Sequence, residues 1–314
     1  MRSICAVVGT LALLSSGRAD ADASRAWQAA KDNLPATIPA IAGVDVAAAA
    51  KLPAFGKLLD LLKKEEREIR EGLSMLQRTC NLDPTKAVDG FVIAGDPDGR
   101  DDDIMIFLQL TIDRTKASAC MESMLKAVGR QKPVTVKQNG IYTEASLDGD
   151  TAWFAWVAPN VVAFSADPGK KARLDGFLGK KGLAKSPVGA QLGKLDPKAL
   201  AAGAIKLPKP FDSDVPFTTA YGNAVLAGQN VSVHIVGTAT DANGAAKFTT
   251  ELNKELAREG KRDRTPAVAK KIIKAIKITG AGSEVTVKAS ANTTELVDAF
   301  LAMMVKKDPL PPPP

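Results

Sequence analysis

Short apolar runs joined by tight-turn residues, and not by long crossovers, constrain this chain more than any other feature. Val134 to Lys137 and Ile141 to Ser146 flank Gln138-Asn139-Gly140. The Asn-Gly pair supplies the left-handed backbone that tight hairpin turns need. Trp153 to Val157 and Val161 to Ser165 flank Ala158-Pro159-Asn160. Val88 to Ala94 and Ile104 to Ile112 flank the Asp- and Gly-dense stretch Asp96 to Asp103. In the second half, Ala224 to Ala227 precedes Val231 to Ala239, and Lys277 to Thr279 precedes Glu284 to Ala289 across Gly280-Ala281-Gly282-Ser283. Strands joined this way pair antiparallel.

Helical periodicity fills the intervals. Leu62, Ile69, Leu73, Leu76 and Cys80 recur at helical spacing, as do Ala117, Met121, Met124, Leu125 and Val128, and Ala245, Phe248, Leu252 and Leu256. These predict helices near 54–64, 65–80, 114–128 and 241–256, with Asp113 as an N-cap. Asp167-Pro168 and Thr265-Pro266 read as further helix starts, and Asn292 with Glu295 as a capping box. The expected fold class is α+β: two related halves of mainly antiparallel sheet packed with amphipathic helices. Aromatic residues make up only 5% of the chain, so its core must be built from Val, Ile, Leu, Ala and Met.

The order β-β-α-β-β occurs in both halves. Ala94-Gly95-Asp96 aligns with Ala227-Gly228-Gln229, and Val134-Thr135-Val136-Lys137 with Val285-Thr286-Val287-Lys288. The expected organisation is a signal peptide over 1–21, a first half over 22–178, a Gly-, Pro- and Lys-rich connector over 179–217, a second half over 218–306 and a Pro-rich tail over 307–314.

The leader reading rests on Arg2, the apolar run Ile4 to Leu14, and the small-residue sites Ala19-Asp20-Ala21 and Ala21-Asp22-Ala23. The run is far shorter than the ~20 apolar residues that span a bilayer, so no transmembrane span is expected in the mature protein. Of the three cysteines, Cys80 and Cys120 remain after cleavage. In an exported chain they are expected to form a disulfide between two helices. The expected location is periplasmic or extracellular.

Asn160-Val161-Val162-Ala163-Phe164-Ser165-Ala166-Asp167-Pro168 and Lys185-Ser186-Pro187 resemble stretches of a group of uncharacterised exported bacterial proteins with duplicated α+β halves. The resemblance covers the middle of the chain. It implies the fold and brings no biochemical activity with it.

Catalytic and cofactor chemistry finds little support. The chain has one histidine, His234, which strand alternation places on the Ser232 face. One His without spare Cys excludes zinc-finger, zincin and Cys–His protease patterns. No G-x-S-x-G, P-loop or G-x-G-x-x-G motif is present. Ser123-Met124-Leu125-Lys126 fits S-x-x-K, but Lys277-Ile278-Thr279-Gly280 carries one residue too many to serve as the K-T-G strand. The acidic stretch 96–103 lacks EF-hand spacing. No cofactor and no metal are expected.

The formal net charge is +7. Lys170, Lys171, Arg173, Lys180, Lys181 and Lys185 cluster along the chain and are the candidate contacts for an anionic surface. A second basic stretch runs from Lys261 to Lys277. Nucleic acid is not expected as a partner, because no aromatics interleave with these lysines for base stacking. The expected function is that of a non-enzymatic exported envelope protein, a binding module for an anionic envelope component or another envelope protein. The alternative is a periplasmic carrier of an apolar or lipid-like ligand, held in a cavity between Leu58 to Leu76 and the first sheet.

Overall fold

A computed structural model describes residues 23–65, 67–83, 85–96, 104–129, 132–196, 198–207, 217–263 and 265–305. The expected leader over 1–21 and the tail over 307–314 lie outside the described residues, as does most of the acidic stretch 96–103.

Twelve strands form one sheet in which every recorded pairing is antiparallel. In chain order these are β1 (Ala40–Asp45), β2 (Val88–Gly95), β3 (Ile104–Leu110), β4 (Val134–Asn139), β5 (Tyr142–Leu147), β6 (Asp150–Ala158), β7 (Val161–Ser165), β8 (Ala201–Lys206), β9 (Phe217–Ala227), β10 (Asn230–Ala239), β11 (Lys277–Ala281) and β12 (Glu284–Asn292). Across the sheet the order is β11-β12-β10-β9-β8-β1-β2-β3-β7-β6-β5-β4. The helices are α1 (Ala23–Asn33), α2 (Val46–Ala50), α3 (Pro53–Glu65), α4 (Arg67–Cys80), α5 (Arg114–Gly129), α6 (Lys171–Phe177), α7 (Pro187–Leu192), α8 (Ala242–Lys261), α9 (Ala267–Ala275) and α10 (Thr293–Val305). The α+β class read from the sequence is therefore the observed one.

The β1–β8 pair sits inside the sheet and joins the two halves along a continuous hydrogen-bond ladder. Outward from it the order reads β1-β2-β3-β7-β6 on one side and β8-β9-β10-β12-β11 on the other. The hairpin β4–β5 extends the first side only. β12, which carries Val285 to Lys288, lies beside β10 as β7 lies beside β3. Val134 to Lys137 occupy the edge strand β4, so the two aligned segments do not hold equivalent places. The stretch 179–217 includes β8, α7 and a 3₁₀ turn over Leu183–Lys185 as well as irregular chain.

Strand alternation assigns each helix to a face. Ile41, Val92, Ala94, Met105, Phe107, Ala155, Val161, Ala163 and Ala204 form one core under α1, α6 and α7. Met105, Phe107, Val92 and Val161 are fully buried there. On the opposite face, Val44, Ala201, Ala224 and Val231 pack with Leu296 of α10. Ala117 of α5 packs with Trp156 and Val162, and Ala245 and Phe248 of α8 pack with Val285 and Ile278.

Several local expectations needed tertiary correction. Asp167-Pro168 does not open a helix. The Pro168 carbonyl accepts the Trp153 N–H at 2.8 Å, and Asp167 Oδ1 accepts the Gly169 N–H at 3.4 Å. The segment is committed to a turn against β6, and α6 begins at Lys171. α1 was not evident in the sequence because its buried stripe is Ala26, Ala29 and Ala30, followed by Leu34, a weak hydrophobic signal. Its closeness to the sheet depends on Gly43, where a Cβ would lie 2.8 Å from the Trp27 ring.

The caps at Asp113 and Asp241 are as the sequence implied, each carboxylate accepting a backbone N–H of the first turn. Asn292 accepts the Thr294 N–H at 2.9 Å, while Glu295 reaches across to Lys271 at 2.5 Å.

The Cys80–Cys120 disulfide is present, with the Cα atoms 5.1 Å apart. It ties the last residue of α4 to α5. No helix among the described residues is long and apolar enough to cross a membrane.

Candidate functional site

The candidate site grows out of strand register. Along β10, Ser232, His234, Val236 and Thr238 share one face, and Val231, Val233, Ile235 and Ala239 the other. Val231 and Val233 pack with Leu296 of α10 and Ala239 with Ala245 and Phe248 of α8, while Ile235 stays exposed. In the first set, His234 lies opposite Asn223 of β9 and Lys288 of β12, and Lys288 lies opposite Lys277 of β11. One row across four strands thus reads Asn223, His234, Lys288, Lys277. The neighbouring row is Val225, Ser232 and Ser290, in which the Ser232 hydroxyl donates to Ser290 Oγ at 3.3 Å.

α7 covers the near side of this face. Val188 and Leu192 belong to the core with Ala204 and Tyr221, and Gln191 Nε2 donates to Thr219 Oγ1 at 3.5 Å. Beyond β9 the face carries the exposed side chains of Ser232, Lys288 and Ser290, and Ala275 at the end of α9 borders it. The turn after α7 raises a wall of Lys194, Leu195 and Asp196. Together these residues enclose an open groove of about 760 Å³. Lys194 Nζ stands 5.1 Å from the centre of the Tyr221 ring. Burial, then the Glu284 carboxylate, push the Tyr221 hydroxyl pKa up. Asp196 accepts the Lys198 N–H at 2.8 Å.

The groove is basic, and its cations lack carboxylate partners. Lys194, Lys277 and Lys288 make no ion pair with any described residue. Some lysines outside the groove do have such partners: Lys57 pairs with Asp298, Lys126 with Glu122, Lys132 with Asp148 and Lys271 with Glu295.

The six residues singled out from the sequence lie on α6, on the 3₁₀ turn, or on the segments beside them. Lys170 pairs with Asp167 at 3.0 Å. Lys171 pairs with Asp175 at 2.8 Å and lies 4.0 Å over the Tyr142 ring. Arg173 and Lys180 line a second groove of about 570 Å³ with Pro35, Thr37 and Phe177. Lys181 takes a left-handed backbone, φ 51°, and Lys185 ends the 3₁₀ turn. Residues of the second basic stretch have individual partners. Arg262 pairs with Glu259 and Lys271 with Glu295, and only Lys277 reaches the larger groove.

Sequence reasoning placed His234 on the Ser232 face correctly but missed Lys288 and Lys194 as its neighbours. The alternation of Val285, Thr286, Val287 and Lys288 showed which face Lys288 takes, but not what lies beside it. Ser123 is an exposed residue inside α5, and Lys126 is held by Glu122 at 2.6 Å.

No family model matches the chain, and no curated protein matches it. Among solved structures, crystal form III of TP0453 is similar at TM-score 0.50 and 8% identity, covering 85% of this chain and 95% of that one. Form I gives 0.48 at 8% identity, covering 85% and 94%, and form IV gives 0.45 at 10% identity, covering 88% and 98%. At such identities the likeness is one of fold.

Proposed function

We propose that this chain is a non-enzymatic binding module exported to the bacterial envelope. Its contact surface is the open face of β9, β10, β12 and β11. The observation that carries the reading is the basic row Lys277–Lys288 with Lys194, unpaired by any described carboxylate, in the wall of one groove. A folded chain ordinarily covers a sheet face or solvates it with charges of both signs. Here one sign prevails inside a concave site.

The same position in the first half supports this. There β2, β3 and β7 present Val92, Met105, Phe107 and Val161 to α1. The corresponding strands of the second half present Ser232, His234, Lys288 and Ser290 to solvent. We read the shared strand order as a duplication in which one copy kept an apolar, helix-covered face and the other turned it into a polar binding face.

The disulfide supports export, since such bonds persist in oxidising compartments. The non-enzymatic reading is supported by the one imidazole. Ser232 donates to Ser290. The carrier alternative needed a cavity beneath Leu58 to Leu76. The two grooves described above carry Lys and Arg in their walls, which suits a charged ligand better than an apolar one.

Native mass spectrometry of the chain purified from an exporting host tests the reading. The expected mass is that of a chain cleaved after Ala21, with the two-dalton loss of one disulfide and a small adduct that denaturation removes. An uncleaved, reduced chain overturns it.

A further inference from the structure

We propose that the groove on β9–β12 binds a soluble small molecule through a phosphate monoester, held by Lys277, Lys288 and Lys194 with Ser232 and Ser290 as hydroxyl donors. This rests on the reading of the chain as a binding module and names its ligand class.

Cross-strand geometry comes first. Lys277 and Lys288 are direct Cα partners in an antiparallel pair. Opposed side chains there have Cβ atoms about 4.5–5.5 Å apart, and like charges so placed destabilise the sheet. His234 adds a third nitrogen-bearing side chain to the same row. A dianion between the ammonium groups turns this repulsion into attraction. No described carboxylate does so.

Charge count comes second. Lys194, Lys277 and Lys288 outnumber Asp196, the one carboxylate of the lining, by two. A phosphate monoester carries about −1.5 to −2 at neutral pH. A single carboxylate ligand would leave the row in excess.

Donor chemistry comes third. The lining contains no Arg. The planar fork that recognises carboxylates bidentately is missing, whereas lysines serve phosphate as point charges. Ser232, Ser290 and Asn223 add neutral donors at the same row or the next.

Shape comes fourth. The volume of about 760 Å³ lies within the range of small-molecule sites, about 300–1,000 Å³. The Lys194–Asp196 wall makes the surface concave, which suits a ligand that enters it. A flat bilayer would meet Leu195 and Asp196 before it met the row.

His234 is the only histidine of the chain, so its imidazole signals report on the groove without ambiguity. The experiment titrates the full mature chain with glycerol 3-phosphate, inorganic phosphate and, as the uncharged control, glycerol, at about 50 mM salt. Long-range proton–nitrogen spectra of His234 give the readout. The expected result is a saturable shift with both phosphates and none with glycerol. The K277Q/K288Q double variant weakens binding at least tenfold, and its melting temperature without ligand is unchanged or higher because the opposed charges are gone. Sedimentation with vesicles of phosphatidylglycerol and phosphatidylcholine at 3:7 separates the sources of phosphate. Binding to vesicles without binding to glycerol 3-phosphate overturns the proposal in favour of a membrane surface. Absence of any saturable shift, or equal affinity in the folded double variant, also overturns it. If the native spectrum still shows a removable adduct, only the phosphate assignment falls and the module reading stands.

Discussion

Replacing both bridged cysteines (C80S/C120S) should remove about 4 kcal/mol of stability. The bond closes a loop with a sequence separation of 40. For a loop of that size, the chain-entropy relation gives about 4 kcal/mol at 25 °C. The position of the loop decides whether this counts against global unfolding. Between Cys80 and Cys120 lie β2 and β3, which contribute Val92, Met105 and Phe107 to the centre of the main core. The loop cannot open while the sheet persists, so the restraint acts on the fully unfolded chain. For chains of 150–250 residues, 1 kcal/mol moves the melting temperature by about 2–4 °C. This longer chain should therefore lose about 8 °C. Scanning calorimetry of oxidised wild type against the double variant measures the difference. Hydrogen exchange adds the local signature, which is loss of protection in α4 together with the strands. A change under about 2 °C with intact two-state melting would refute the reasoning. It would mean that α4 leaves the cooperative unit before β2 and β3 do.

Two further perturbations test smaller parts of the structure. Ser186, buried at the start of α7, accepts the Gly189 N–H at 2.8 Å and donates to the Leu183 carbonyl at 2.6 Å. Ser186→Ala should cost about 1–2 kcal/mol by chemical denaturation, and an unchanged midpoint would count against that cap. The Tyr142 hydroxyl donates to Asp175 Oδ1 at 2.6 Å, and burial, then this bond, raise its pKa to about 12. The raised value means that stability from the neutral phenol is complete below about pH 10 and fades between about 10 and 12. Asp175 runs the other way: Lys171 first, then Tyr142, hold its carboxyl below the usual range, so its contribution is lost as acid protonates it. Tyr142→Phe should flatten the alkaline limb of melting temperature against pH, and a limb identical to wild type would refute the assignment.

What the sequence determined was what short-range chemistry determines. Gly140 set one hairpin, with an observed φ of 57°, although Asn139 pairs with Tyr142 as the last residue of β4 and the loop is Gly140-Ile141. Helical periodicity placed α3, α4, α5 and α8 within a few residues of their ends, because an amphipathic stripe is complete within its own segment. The export argument paired Cys80 with Cys120 because only those two thiols were left. Elements whose order depends on distant partners stayed hidden. β8 reads Ala-Ala-Gly-Ala-Ile-Lys, a weak strand by composition, and it exists because β1 and β9 pair with it on both sides.

The candidate site shows the same division. Alternation within β10 placed His234 on one face, and alternation within β12 did the same for Lys288. Only the ladder linking β9, β10, β12 and β11 set Asn223, His234, Lys288 and Lys277 side by side, and only the turn after α7 brought Lys194 over them. Which face a side chain takes follows from the period of its own strand. Which side chain it meets follows from register between strands, and burial of the opposite apolar face against α8 and α10 selects that register.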